Sequence, residues 1–92
     1  NVVLVDCLSV WVTNLIIGGH DVAAARDSLI AYLAKSISSL IFVASETGIG
    51  IVPDNALSRQ FRDESGRLNQ MVAAVSDDVF FVTAGIAQKI KP

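Results

Sequence analysis

Short apolar runs alternate with stretches of helical periodicity along this chain. An unbroken apolar run is typical of a strand buried in a parallel sheet, whereas apolar residues at three- and four-residue steps predict a helix with one buried face. The predicted strands are Val2–Val5, Leu40–Ser45, Val79–Thr83 and a short returning strand at Ile86–Ile90. The predicted helices run from Val22 to about Ser39, and from a cap at Asp54 or Asn55 to about Val75. The pattern predicts an α/β fold: a mostly parallel sheet with flanking helices and a C-terminal antiparallel hairpin.

The segment between the first strand and the first of these helices, Leu8–Ile16, has the composition of a helical or irregular segment. A glycine turn, Gly18-Gly19-His20, follows it, and Asp21 is placed to cap the next helix. Each predicted helix carries an apolar stripe. The stripe of the first consists of Val22, Ala25, Leu29, Leu33 and Ile37 or Leu40, and the stripe of the second of Leu57, Phe61, Leu68, Met71, Val72 and Val75.

The opposite face of the second helix is polar and rich in arginine. Its residues are Arg59, Arg62, Asp63, Gly66, Arg67 and Gln70. Arg59 and Arg67 each lie four residues from Asp63, so each could pair with it, worth roughly 0.2–0.5 kcal/mol on an exposed helix. Such a face is either solvated or functional. Gly66 favours function, because a glycine inside a helix costs ~1 kcal/mol relative to alanine and suggests that something approaches the backbone there.

A glycine-containing loop joins the strand Leu40–Ser45 to this helix. It reads Glu46-Thr47-Gly48-Ile49-Gly50-Ile51-Val52-Pro53-Asp54. Gly48 and Gly50 permit sharp turns and close approach of a ligand to the backbone. Open α/β sheets bind ligands at the carboxyl ends of their strands, so the loop and Glu46 are predicted to lie at a ligand site.

Composition and charge narrow the functional classes. The 92 residues are 52% hydrophobic and 17% charged, which suits a segment covered on several sides in a larger domain or an oligomer. A net charge of −2 and a pI near 5.0 give no electrostatic reason to bind nucleic acid. One cysteine is compatible with a reducing cytoplasm, and no apolar run reaches the ~18 residues of a membrane span. The chain begins without methionine inside an apolar strand, so we expect one segment, residues 1–92, of a longer domain.

The loop and the arginine face together resemble a known signature. Residues 45–70 are similar to the signature of the bifunctional adenosylcobinamide kinase/adenosylcobinamide-phosphate guanylyltransferases of cobalamin synthesis, approximately N-E-V-G-x-G-I-V-P followed by R-x-F-R-D-x-x-G-R-x-N-Q. The matching residues are Glu46, Gly48, Gly50, Ile51, Val52, Pro53, Arg59, Phe61, Arg62, Asp63, Gly66, Arg67, Asn69 and Gln70, whereas Ser45 and Thr47 depart from it. Resemblance is weaker toward both ends of the chain.

The resemblance implies a P-loop (RecA-like) fold of which this chain is the C-terminal half. No G-x-x-x-x-G-K-[ST] phosphate loop occurs in the chain, so we expect the 92 residues alone to be inactive. The implied enzyme uses Mg²⁺, with ATP or GTP as substrate. It phosphorylates adenosylcobinamide and then transfers GMP from GTP to the product. The resemblance also implies a cytoplasmic homo-oligomer, commonly a trimer.

The resemblance also assigns roles to individual residues. Asp6 ends an apolar strand in the form of a Walker B motif and would hold the metal; that pattern alone is weak, because many buried strands end in aspartate. The implied catalytic residues are Glu46, Arg62, Asp63 and Arg67, and the implied nucleotide- or phosphate-binding residues are Gly48, Gly50, Arg59 and Asn69. The family's covalent histidine lies upstream of the Walker B strand, so His20 is interpreted as an ordinary loop histidine.

Two other functional classes remain open at the level of sequence. One is a different P-loop phosphotransferase that shares the sheet but not the substrates. The other is a non-catalytic fragment whose apolar helices bind partner subunits.

Overall fold

The computed structural model describes residues 2–45 and 55–91, which form four strands and three helices. The elements are β1 (Val2–Asp6), α1 (Leu8–Ile17), α2 (Val22–Lys35), β2 (Ser39–Val43), α3 (Ala56–Val75), β3 (Val79–Thr83) and β4 (Ile86–Lys91). The order of elements is the predicted α/β order. The segment Leu8–Ile16, predicted to be helical or irregular, forms the helix α1.

The strands form two separate two-stranded sheets within the described ranges. β1 and β2 are parallel, in a register that pairs Val2 with Ser39 and Asp6 with Val43. β3 and β4 form the predicted antiparallel hairpin, whose turn places Ala84 and Gly85 at φ of 52° and 76°. The prediction of one mostly parallel sheet is therefore confirmed only for its first pair. An apolar run specifies which faces of a strand are buried but not which strand is its neighbour.

Side-chain caps set where α2 and α3 begin. The Asp21 carboxylate accepts a hydrogen bond from the Ala24 amide at 3.0 Å, as predicted. The Asn55 side chain accepts one from the Ser58 amide at 2.7 Å, which makes Asn55 the cap of α3, while Asp54 lies outside the described residues. These bonds satisfy amides that have no partner inside the helix.

α2 ends at Lys35, four residues before the predicted end. The Ser36 hydroxyl accepts a hydrogen bond from the Ser38 amide at 3.3 Å, a local side-chain bond that competes with continued helix. Of the two residues predicted for the end of the buried stripe, Ile37 is wrong, because its side chain is fully exposed, whereas Leu40 is half-buried in β2.

The core lies where α1 and α3 meet above the parallel pair of strands. Its buried apolar side chains are Leu8, Val12, Leu68 and Val72, with Val5, Trp11, Ile16, Leu29, Ile30, Leu33, Phe42 and Phe61 packed around them. In α3 the predicted stripe is confirmed at its centre, but Leu57 and Val75 at its two ends are 57% and 48% exposed. Ser65, which the prediction left out, is fully buried between Phe61 and Leu68 in that stripe.

The strand faces carry large exposed apolar side chains, although the sequence predicts buried strands. Val2, Leu4, Ile41, Phe80 and Ile86 are each more than half exposed. An apolar run predicts burial only when layers cover both faces of a sheet, and within the described ranges the sheets are covered incompletely. No described helix is both long enough and apolar enough to cross a bilayer.

Lys89 and Lys91 in β4 each have a specific partner. Lys89 pairs with Asp78 across the hairpin at 3.0 Å. The Lys91 ammonium donates hydrogen bonds to the carbonyls of Ala73 and Ala74 at 2.8 and 2.9 Å. A cation at the last turn of a helix satisfies its terminal carbonyls and interacts favourably with the helix dipole. Lys91 therefore ties the hairpin to α3.

Replacing Lys91 by methionine should lower the free energy of unfolding by about 1 kcal/mol, because two carbonyls lose their charged donor. Denaturant titration of the full-length protein measures this change. Lys89→Met is the matched control and should cost less, because an ion pair between exposed side chains is worth ~0–1 kcal/mol. Equal costs for the two substitutions would show that Lys91 contributes no more than a surface pair.

Candidate functional site

Asp6 and the start of the glycine-containing loop lie at one edge of the parallel pair. Asp6 is the last residue of β1, is exposed, and is in register with Val43, the last residue of β2. Ser45 follows two residues later and leads into the loop. This is the carboxyl edge where the sequence predicts ligand binding. The predicted residues Glu46, Gly48 and Gly50 lie outside the described residues.

Two helices bind the backbone of Ser45. Its amide donates a hydrogen bond to the hydroxyl of Ser9 in α1 at 2.9 Å. Its carbonyl accepts one from the side-chain amide of Asn69 in α3 at 3.2 Å. Sequence reasoning missed Ser9, since a serine within an apolar segment gives no sign of a partner 36 residues away. Asn69 thus positions the loop, and its predicted contact with phosphate stays a prediction.

On the arginine face of α3, Arg62 and Arg67 each form an ion pair, and neither pair is the predicted pair of Asp63 with Arg67. Arg62 donates from Nε and Nη2 to the neighbouring Asp63 carboxylate, at 3.2 and 2.9 Å. Arg67 donates to Glu64, three residues before it, rather than to Asp63. Arg59 lies exposed near the first turn of the helix. The predicted clustering of Arg62, Asp63 and Arg67 on one helix is confirmed, but the partner of Arg67 was predicted wrongly.

Glu64 also faces a second arginine, which comes from another helix. Nη1 of Arg26 in α2 lies 3.6 Å from the same Glu64 oxygen that Arg67 contacts. The side chains of Arg26 and Glu64 are only 15% and 14% exposed, so this pair lies in the α2–α3 interface. Sequence reasoning missed Arg26, because an isolated arginine on the polar face of a helix gives no signal of a partner on a helix so far along the chain.

Charge is distributed unevenly along this face. Arg62 and Asp63 neutralise each other, whereas Arg26, Glu64 and Arg67 sum to one positive charge. The Arg67 side chain is 60% exposed and that of Arg26 is largely buried, so the excess charge faces solvent at Arg67. Of the arginines in these pairs, Arg67 is the one best placed to bind an anion.

Gly66 lies in α3 directly before Arg67. A methyl group added at its Cα would meet no atom of the described chain within 4 Å. No packing requirement inside the described part of the chain therefore explains a glycine here. The prediction that a ligand or another subunit approaches this backbone remains compatible with the geometry.

The sequence is similar to known proteins over nearly its whole length. A model of the cobinamide kinase / cobinamide phosphate guanyltransferase family matches residues 1–90. The chain belongs to this family. CobU of Salmonella typhimurium (strain LT2), a bifunctional adenosylcobalamin biosynthesis protein, is 39% identical over 104 aligned positions that include 97% of this chain. CobU of Escherichia coli (strain K12) and CobP of Pseudomonas aeruginosa, which carry the same description, are each 38% identical and cover 98% and 96% of the chain.

The chain spans little more than half the length of these relatives. The aligned region is 58% of each CobU protein and 52% of CobP. The resemblance inferred from the signature is confirmed by the match to the cobinamide kinase / cobinamide phosphate guanyltransferase family.

The open space around Gly66 allows one substitution to test stability and activity separately. Gly66→Ala should raise the free energy of unfolding by about 0.5–1 kcal/mol, because alanine is the better helix former and the added methyl meets no described atom. It should also lower activity if a ligand or subunit lies against this backbone. Thermal denaturation and turnover of the full-length protein measure the two effects. A more stable variant with unchanged activity would show that nothing approaches the helix at Gly66.

Proposed function

We propose that this chain is the C-terminal part of a P-loop enzyme that makes adenosylcobinamide-GDP in two steps. The enzyme phosphorylates adenosylcobinamide with ATP or GTP and then transfers GMP from GTP to the phosphorylated product. The observation that carries this proposal is the family match over residues 1–90, which includes both Asp6 and the arginine face. We further propose a cytoplasmic homo-oligomer, with a trimer as the expected state.

The two separate sheets are consistent with part of a larger P-loop fold. β1–β2 and β3–β4 have no mutual pairing within the described ranges, and their exposed apolar faces require cover. In the proposed enzyme, strands from outside these residues would join the two pairs into one sheet. The same outside region would supply the phosphate loop, whose backbone amides and lysine hold nucleotide phosphates.

Asp6 is a suitable residue to hold the proposed Mg²⁺. Magnesium in nucleotide enzymes is usually bound through one or two carboxylates, with water and substrate phosphates completing its six positions. Asp6 is exposed at the carboxyl edge of the parallel pair, so its carboxylate is accessible for such a site. When bound, the ion would neutralise phosphate charge in both steps.

The arginine face would bind phosphate groups or a neighbouring subunit. Arg67 presents a net positive charge to solvent, and Arg62 is held in a fixed orientation by Asp63. A guanidinium presents several N–H donors in a plane that matches phosphate oxygens. Arg59 and Asn69 are proposed to add phosphate or nucleotide contacts at the same face.

The loop residues Glu46, Gly48 and Gly50 complete the proposed site. Glu46 would orient the attacking hydroxyl, the ribose or metal-bound water. The glycines would allow the nucleotide to approach the backbone. Ser45 donates a hydrogen bond to Ser9 and accepts one from Asn69, and these two bonds fix the point from which this loop starts.

Activity of the full-length protein tests the proposal directly. The purified protein should phosphorylate adenosylcobinamide with ATP or GTP in the presence of Mg²⁺, and then release pyrophosphate as GMP is transferred from GTP. The 92-residue chain alone serves as the control and should be inactive, because it contains no phosphate loop. Turnover of a different acceptor would identify another phosphotransferase. A full-length protein that assembles but does not turn over either nucleotide would point to a subunit-binding role.

A further inference from the structure

Glu64 stands between two arginines that reach it from different helices. One carboxylate oxygen is 3.6 Å from Nη1 of Arg26 in α2 and also accepts a hydrogen bond from Arg67 in α3. The family signature described above includes Arg67 but neither Arg26 nor Glu64. The contact is therefore a feature of this structure that the signature does not assign.

Arg26 is poorly satisfied for a buried guanidinium. Its Nε and Nη1 atoms are inaccessible to solvent and have no hydrogen-bond partner among the described residues. Its ion pair with Glu64 is longer than a hydrogen bond. A buried charge with incomplete hydrogen bonding is rarely the most stabilising choice at a helix interface, and such groups call for another explanation.

The summed charge of Arg26, Glu64 and Arg67 supplies that explanation. A Glu64–Arg67 pair by itself would be neutral, as Arg62–Asp63 is, and would attract an anion weakly. With Arg26 behind it, Glu64 is compensated from the interior and the exposed Arg67 side chain retains an uncancelled positive charge. Arg26 also fixes the carboxylate against which the Arg67 guanidinium is oriented.

We propose that Arg26 is a positioning residue that acts through Glu64: it keeps Arg67 oriented toward the phosphates of GTP and leaves the positive charge of Arg67 uncancelled by Glu64. The Arg26 side chain is largely buried and acts on the substrate only through Arg67. The inference rests on the proposed function, since it deepens the role of Arg67 in phosphate binding.

A double-mutant cycle between Arg26 and Arg67 in the full-length protein tests this proposal. Arg26→Gln, Arg67→Ala and the double variant are compared with wild type, with GTP as the varied substrate. Arg26→Gln should lower kcat/KM for GTP about fivefold in the wild-type background, mainly through KM. In the Arg67→Ala background the same substitution should change kcat/KM by less than about twofold, because the residue through which it acts is missing.

Rescue and charge controls accompany the cycle. Arg26→Lys keeps the positive charge beside Glu64 and should remain within about twofold of wild type. Lys35→Gln removes a positive charge from the same helix at an exposed position and should leave kcat/KM for GTP unchanged. If Arg26→Gln lowers the melting temperature enough to compromise the assay, Arg26→Met replaces it, since methionine fills the buried space of the side-chain stem without a polar group.

The outcomes separate this proposal from the proposed function. An equal loss of kcat/KM from Arg26→Gln in both backgrounds would show that Arg26 only ties α2 to α3, and the positioning role would be rejected. A loss from Arg26→Lys as large as that from Arg26→Gln would reject the charge argument. A wild-type protein that does not turn over GTP would overturn the proposed function and this role together.

Discussion

Asp6→Asn in the full-length protein is expected to weaken Mg²⁺-dependent GTP binding roughly 10- to 150-fold while leaving the fold intact. The lower and upper values correspond to the ~1.5–3 kcal/mol typical of a hydrogen bond to a charged group. Asparagine keeps the size and the oxygen acceptor of the side chain but removes the charge that attracts a cation. Asp6 is exposed at the end of β1, so the substitution should not disturb the core around Leu8 and Val12.

Titration of GTP binding at several Mg²⁺ concentrations measures this effect. Asp27→Asn is a matched control, because it makes the same change at an exposed position on α2. Wild-type affinity and an unchanged Mg²⁺ dependence in Asp6→Asn would reduce Asp6 to a carboxylate that merely ends a strand. A fall in melting temperature would instead indicate a structural role.

Arg67→Ala should reduce kcat/KM for GTP at least ~10-fold, equivalent to ~1.4 kcal/mol, with little change in melting temperature. The side chain is 60% exposed and buries little surface, so its removal should cost little stability. Arg67→Lys should restore activity poorly, because an ammonium group does not reproduce the planar guanidinium fork. Steady-state kinetics and thermal denaturation of the three proteins check these expectations.

Comparison with Arg62 makes the test of Arg67 more informative. The sequence predicts a functional role for both, but Arg62→Ala also releases Asp63 from its ion pair. A loss of activity in Arg62→Ala therefore has two explanations, whereas a loss in Arg67→Ala is harder to assign to structure. Wild-type rates in Arg67→Ala, with an unchanged oligomer, would return the arginine face to a solvated surface.

The helices were largely predictable because their signals are local. Asp21 and Asn55 act as caps within three residues of their partners, and Leu68 and Val72 occupy the centre of a regular apolar stripe. The end of α2 was missed because a hydroxyl of Ser36 bonds the backbone nearby, which periodicity does not register.

Contacts between distant elements could not be predicted from one sequence. The pairing of β1 with β2 depends on which strands are neighbours, and apolar runs specify only which faces are suited to burial. Ser9 and Arg26 escaped notice for a related reason. Each contributes through a partner more than 30 residues away, Ser45 and Glu64 respectively, and neither has a local pattern that reveals it.

For the predicted site residues, position on a shared helix was predictable from the sequence, but individual ion-pair partners were not. Arg62, Asp63 and Arg67 lie together because helical spacing places them on one surface. Their ion pairs are not the ones that four-residue spacing predicts. Arg67 pairs with Glu64, which carries no distinguishing signal in the sequence, instead of with Asp63.

The hydrogen bond from the Ser45 amide to Ser9 gives this protein a built-in reporter of its internal geometry. The Ser45 amide donates its proton to the hydroxyl of the buried Ser9, so exchange of that proton with deuterium requires this bond between the end of β2 and α1 to open. The Ser45 carbonyl belongs to the next peptide group, and Asn69 of α3 binds it separately. Exchange at the Ser45 amide would therefore register displacement of α1 in the presence of nucleotide, without any measurement of turnover.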